Sequence, residues 1–173
     1  MKNFEQICKD RSSIRKFIDK EIEKEKLYQV LNIIKTAPSA GNLQAYEVIV
    51  MKSSDLKEKL SEAALNQDFI TKAPIVLVFV AKTAESFIRY GERGKVLYSI
   101  QDATIACTYA MLACEALGIS STWVGAFDEE KVIKLLHCKE EETPIALLPI
   151  GYTLAPKISL TRRKESNELF REI

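Results

Sequence analysis

Several side chains that metal and acid–base chemistry depend on are scarce here: the 173 residues include one histidine, one tryptophan and four cysteines. His137 alone cannot anchor a metal cluster, which needs further ligands around it. Cys8, Cys107, Cys114 and Cys138 form no C-x-x-C pair. On one helix, at ~1.5 Å per residue, Cys107 and Cys114 would stand about 10 Å apart, beyond the ~7 Å reach of a disulfide. All four read as reduced packing residues, and no zinc site is expected. No apolar run follows Met1, because Lys2, Glu5, Lys9 and Asp10 interrupt it, so no signal peptide is expected. The longest strictly apolar run, residues 75–81, falls far short of the ~20 residues that cross a bilayer. An excess of either charge is also missing, with 25 basic against 24 acidic side chains. Neither nucleic acid nor an anionic membrane is therefore an expected partner, and the expected location is cytoplasmic.

What is present describes a globular chain: 47% hydrophobic and 28% charged residues. The length suits one domain over residues 1–173, large enough to bury about two thirds of its unfolded surface. Periodicity predicts a short helix over 3–9 and a long one over 19–36, with Ile22, Leu27, Val30, Leu31 and Ile34 inward. A strand over 46–51 follows, then a helix capped by Ser53 or Ser54 and running to Ala64. Residues 75–81 are continuous and apolar, which predicts a central strand covered on both faces. An excursion over 82–95 carries a short helix at 84–90, and its Gly91-Glu-Arg-Gly94 lacks the flanks of a phosphate loop. The helix over 96–117 is apolar around its whole circumference, so one face is expected to pack against a second copy of the chain. A strand over 121–127, a helix capped by Asp128 and ending near His137, and a core strand over 144–151 complete the pattern. The tail carries Arg162-Arg163-Lys164 and ends in a short helical pattern.

Two connections have compositions suited to ligands. Residues 36–50, TAPSAGNLQAYEVIV, join helix to strand through Pro38, Ser39, Gly41, Asn42 and Gln44. Small residues expose backbone N–H groups, and loops between regular elements commonly carry contacts to ligands. By itself Pro-Ser-Ala-Gly-Asn is a helix stop with a turn. Residues 11–17, RSSIRKF, set Arg11, Ser12, Ser13 and Arg15 together, and guanidinium forks with hydroxyls match phosphate oxygens. By itself this stretch reads first as a solvated basic turn. Asn66-Gln67-Asp68 adds a polar patch beside the predicted central strand.

Taken in order, these stretches resemble the small, single-domain branch of the FMN-dependent nitroreductase family. The matching segments are RSSIRKF at 11–17, APSAGNLQ at 37–44, KAPIVLVFVA at 72–81, QDATIACTYAMLACEALGISSTWVGAFDEEKVIKLL at 101–136 and PIALLPIGY at 144–152. The resemblance implies an α+β fold, three-layer α/β/α, with a mixed and mostly antiparallel sheet, assembled as a homodimer with two FMN sites at the subunit interface. It implies that Arg11, Ser12, Ser13 and Arg15 hold the FMN phosphate and ribityl chain, and that Arg163 completes the phosphate pocket. Pro38, Ser39, Ala40 and Asn42 would reach the flavin from the partner subunit. Asn66 or Gln67 would touch the polar edge of the ring. Gly125 and Ala126 would lie against it, a backbone N–H near the reactive nitrogen. The implied activity is hydride transfer from NADH or NADPH through FMN to a small-molecule electron acceptor, a nitroaromatic or quinone, by ping-pong kinetics. Alternatives on the same fold are dehalogenation, heterocycle oxidation, flavin breakdown, or a non-catalytic FMN-storage dimer. The chain departs from the family in carrying Ala45-Tyr46 where Pro-Trp is frequent.

Overall fold

An unbroken run of Ile, Val, Leu, Phe and Ala has no polar face to turn to water, and the fold is built on both sides of it. The computed structural model describes residues 2–155 and 162–173. In it the run forms β2 (Ile75–Lys82), an inner strand of a four-stranded sheet. With β1 (Tyr46–Met51), β3 (Ser120–Ser121) and β4 (Glu142–Gly151), the order is β1-β2-β4-β3, and each of these pairs is antiparallel. A parallel bridge from Ser13 to Ser121 extends the sheet past β3 and makes it mixed.

Alternation along the strands divides the core in two. Ile75, Leu77 and Phe79 of β2, with Ala146, Leu148 and Ile150 of β4, face α2 (Lys24–Ile34) and α6 (Ser99–Ala116). Val76, Val78 and Val80, with Leu147 and Met51, face α3 (Ser54–Ala63), α4 (Phe69–Lys72) and α7 (Glu129–Leu136). The result is the expected three-layer α/β/α arrangement. The smaller helices are α1 (Phe4–Asp10) at the N-terminus, α5 (Thr83–Arg93) before α6, and α8 (Ser166–Leu169) in the tail. Among the described residues no helix is long and apolar enough to cross a membrane, and all four cysteines are free.

Three boundaries depart from the periodicity. The helix predicted over 19–36 begins only at Lys24, because Ile18 N–H donates to the Tyr152 carbonyl at 2.9 Å and holds the preceding segment against the end of β4. The strand predicted over 121–127 shrinks to two residues and a lone bridge from Val124 to Leu147, since residues 12–14 share its edge. The 82–95 excursion is helical almost throughout. Gly91, at φ +60° and ψ −149°, breaks α5, and a π-helical turn, Gly94–Tyr98, leads into α6.

On α6, the inner side carries Ala103, Ala106, Cys107, Ala110 and Cys114, all buried. Ile100 is exposed, and Ile105, Tyr109 and Leu112 are only half-buried. One chain thus buries one side of this helix fully and the opposite side only in part.

Candidate cofactor site

Residues 11–15 are fixed by backbone pairing. Ile14 is buried and donates its N–H to the Ser121 carbonyl at 3.0 Å, in register with the Ser13–Ser121 bridge. That anchor leaves Ser12 Oγ buried with no hydrogen-bond partner, while Arg11 is half-buried and Ser13 and Arg15 are exposed. The Arg15 guanidinium stands 5.8 Å from the centre of the Phe69 ring, at the start of α4. Just before it, Leu65 and Asn66 both adopt left-handed backbone, at φ +59° and +58°. Gln67 then turns back, its Nε2 donating to the carbonyls of Ala64 at 2.8 Å and Ala126 at 3.1 Å. Asn66 itself is exposed.

Gly125 and Ala126 follow Val124, whose N–H and C=O each bond Leu147 at 2.9 Å. Both are exposed, and a Cβ added to Gly125 would meet only the Trp123 indole. Their backbone is therefore open on one side. The structure brings residues 11–15, 67 and 125–126 together through Phe69, Gln67 and Ser121.

The 39–44 loop is built differently. Pro38 is exposed where α2 has ended, and Ser39 Oγ accepts the Gln44 N–H at 2.9 Å. Asn42 N–H donates to the Ser39 carbonyl and Leu43 N–H to the Ala40 carbonyl, both at 3.1 Å. Gly41, Asn42 and Gln44 all lie at positive φ, between +51° and +56°. Two helices hold this shape. Asp102 of α6 accepts the Ala40 N–H at 2.9 Å, and Arg89 of α5 donates to the Gly41 carbonyl at 3.1 Å. Burial pushes the Asp102 carboxyl above its ordinary range, opposed by the amides of Ala40 and Ala45. Its Oδ2 is buried and has no hydrogen-bond partner.

The sequence-predicted residues thus fall into two groups within one chain. Arg11, Ser12, Ser13, Arg15, Gln67, Gly125 and Ala126 are held by β3, α4 and each other. Pro38, Ser39, Ala40 and Asn42 are held by α5 and α6. Arg163 belongs to neither. It is exposed and lines a hollow of about 350 Å³ with Arg162, Lys164, Glu165 and Glu168. Periodicity missed Asp102 and Arg89. The signal for Asp102 was an acid inside an apolar helix; Arg89 left no local trace. An apolar cavity of about 310 Å³ among Phe4, Ile33, Tyr109 and Leu112 lies between α1, α2 and α6 and not at either group.

Chemically, the first group combines two guanidinium groups, a buried hydroxyl awaiting a partner, and open backbone. That donor set fits a phosphate monoester joined to a flat ring. No acid–base dyad accompanies it, and among the described residues no cluster of His, Cys, Asp or Glu could hold a metal ion.

Residues 8–67 and 61–152 match the Nitroreductase family. A Bacillus subtilis FMN reductase [NAD(P)H] is 31% identical over 156 residues, covering 83% of this chain; the chain spans 63% of that relative's length. A Thermus thermophilus NADH dehydrogenase is 26% identical over 169 residues, covering 82% of each chain. Among solved structures, a nitroreductase family protein from Clostridium difficile 630 is 30% identical, with a TM-score of 0.86, covering 99% of this chain and 98% of that one.

Proposed function

The chain belongs to the nitroreductase family, and from that premise we propose that it is an FMN-dependent oxidoreductase, using NADH or NADPH to reduce a small-molecule acceptor such as a nitroaromatic or a quinone. The observation that carries the reading is Ser12 Oγ, buried without a partner beside Arg11 on an anchored backbone. A native protein leaves few such hydroxyls unpaired, and a phosphate oxygen is a suitable acceptor for it. The names of the Bacillus and Thermus relatives support a nicotinamide nucleotide as reductant.

FMN, when bound, supplies the hydride relay that no side chain of this protein can perform. Arg11 and Arg15 neutralise the phosphate, and Ser12 and Ser13 donate to its oxygens or to the ribityl hydroxyls. Gln67, with its carboxamide nitrogen committed to Ala64 and Ala126, holds the 125–126 backbone in place and presents its own oxygen to the polar edge of a ring. Gly125 and Ala126 leave room for a flat ligand and offer backbone N–H groups to it. Asn66 stands at the same rim. Arg163 of the tail adds a third guanidinium to the phosphate pocket.

The loop at 38–42 serves the site of a second copy. Its support is the separate anchoring of the two residue groups, together with the outer side of α6, where Ile105, Tyr109 and Leu112 are short of full burial. We read the protein as a homodimer of one-domain chains. The four free cysteines fit the reducing cytoplasm.

The deciding experiment is the visible absorption spectrum of the purified protein, supplied with FMN and then, anaerobically, with NADH or NADPH. A flavin band that bleaches with either nucleotide supports the oxidoreductase. A flavin band that persists with both indicates storage or another flavin chemistry. Failure to take up FMN at all overturns the reading.

A further inference from the structure

The loop at 39–44 is gripped by two opposite charges from two different helices. Asp102, in the first turn of α6, is 2% exposed and takes the Ala40 N–H on Oδ1. Arg89, from α5, gives Nη1 to the carbonyl of the next residue, Gly41. Each charge meets the backbone group of complementary polarity, so the two bracket residues 40–41 from either end. Between and beyond them the backbone runs left-handed, through Gly41 and then Asn42 at φ +56°. For a residue with a Cβ that conformation costs roughly 1 kcal/mol and needs outside support.

A surface turn does not require this apparatus. A buried carboxylate is costly unless its oxygens are satisfied, and Oδ2 of Asp102 is not. The groups answering its charge are the Ala40 and Ala45 amides; the Tyr46 phenol of β1 faces it as well and has its own proton held more tightly, by burial first and by the Asp102 charge second. Arg89 likewise commits a long, flexible side chain to one carbonyl, while its guanidinium lies 5.5 Å from the Tyr90 ring centre. A Cβ on Gly41 would run into Tyr90 and Arg89, so α5 lies directly on the loop.

We propose that Asp102 and Arg89 are positioning residues for the cofactor: acting through the Ala40 amide and the Gly41 carbonyl, they hold residues 39–42 in the conformation that engages FMN, without touching it. The inference rests on the FMN reading above. It makes a buried carboxylate and an excursion helix, neither of which belongs to the predicted site, determinants of flavin affinity.

The test is FMN titration of the full-length protein, followed by quenching of flavin fluorescence, with apo-protein melting measured alongside. Asp102→Ala and Arg89→Ala should each weaken FMN binding about tenfold, the loss of roughly one charge-assisted hydrogen bond. Asp102→Asn, whose carboxamide oxygen accepts the same Ala40 amide, should stay within about threefold of wild type. The double variant should fall short of the product of the single losses, because both grips serve one loop. A merely structural role would instead lower the melting temperature and leave the affinity of the folded protein unchanged. Folded Asp102→Ala or Arg89→Ala protein that binds FMN like wild type overturns the inference while leaving the cofactor reading intact. Wild type that binds no FMN overturns both. Should Asp102→Ala not fold, Arg89→Ala decides. Folded Arg89→Ala that binds FMN more weakly supports the grip, and wild-type affinity overturns it.

Discussion

Ser12 shows how one side chain can serve binding at the expense of stability. Its hydroxyl is buried and unpaired, a state that costs ~1–3 kcal/mol. Ser12→Ala should therefore melt no lower than wild type as apo-protein, gaining up to about 1 kcal/mol, while its FMN dissociation constant rises. Thr122 Oγ1 is buried and unpaired in the same way, yet Thr122 is not among the residues proposed to hold FMN. Thr122→Val should show the stability gain by urea denaturation without the loss of affinity. Asp102 adds a pH dependence. Burial raises its carboxyl above the ordinary range, so its contribution to stability is complete in acid, below the unfolded value, and is lost as pH rises through the folded one. The melting temperature of Asp102→Asn relative to wild type should accordingly climb between acid and neutral pH; a difference that stays flat would mean that Asp102 does not titrate with folding. Of the candidate residues, Arg11 and Arg15 around serines suggested an anion by their own chemistry, whereas Gly125 and Ala126 were reached only through the resemblance of the ordered segments. Asp102 and Arg89 were not legible, because they act on backbone far away in sequence, and neither carries a mark of its partner.

Among the elements, those with a strong apolar period were readable and those fixed by a neighbour were not. β1 begins and ends where its composition predicts, and β2 runs one residue further, to Lys82. α2 lost its first turn to the hydrogen bond between Ile18 and Tyr152, which lies near the other end of the chain where no local pattern encodes it. The break at Gly91 and the π-helical turn at Gly94–Tyr98 were likewise unreadable, since they depend on how α5 folds back on itself. Gly94 makes that fold possible: a Cβ there would strike the Ser86 backbone carbonyl, which cannot swing away as a side chain could. Gly94→Ala should cost about 1–3 kcal/mol in a urea titration. Because α5 carries Arg89, it should also weaken FMN binding.

For the molecule as a whole, a sheet covered on both faces was implied by the unbroken apolar run at 75–81, whereas the distribution of the site over the surface required coordinates. The outer side of α6 is the feature that one chain leaves unfinished. Introducing charge there, as Ile105→Glu with Leu112→Glu, should convert a dimer to monomer by light scattering, with circular dichroism checking that the core against which Ile105 packs stays folded. The separate anchoring of the two residue groups has a further consequence for inheritance of damage. A chain with Arg11→Ala and Arg15→Ala keeps a sound 39–42 loop, and a chain with Asp102→Ala keeps a sound 11–15 segment. Refolded apart, neither should hold FMN well. Refolded together in equal amounts, the hybrid dimers should each rebuild one intact site from two broken chains, about a quarter of all sites by random pairing.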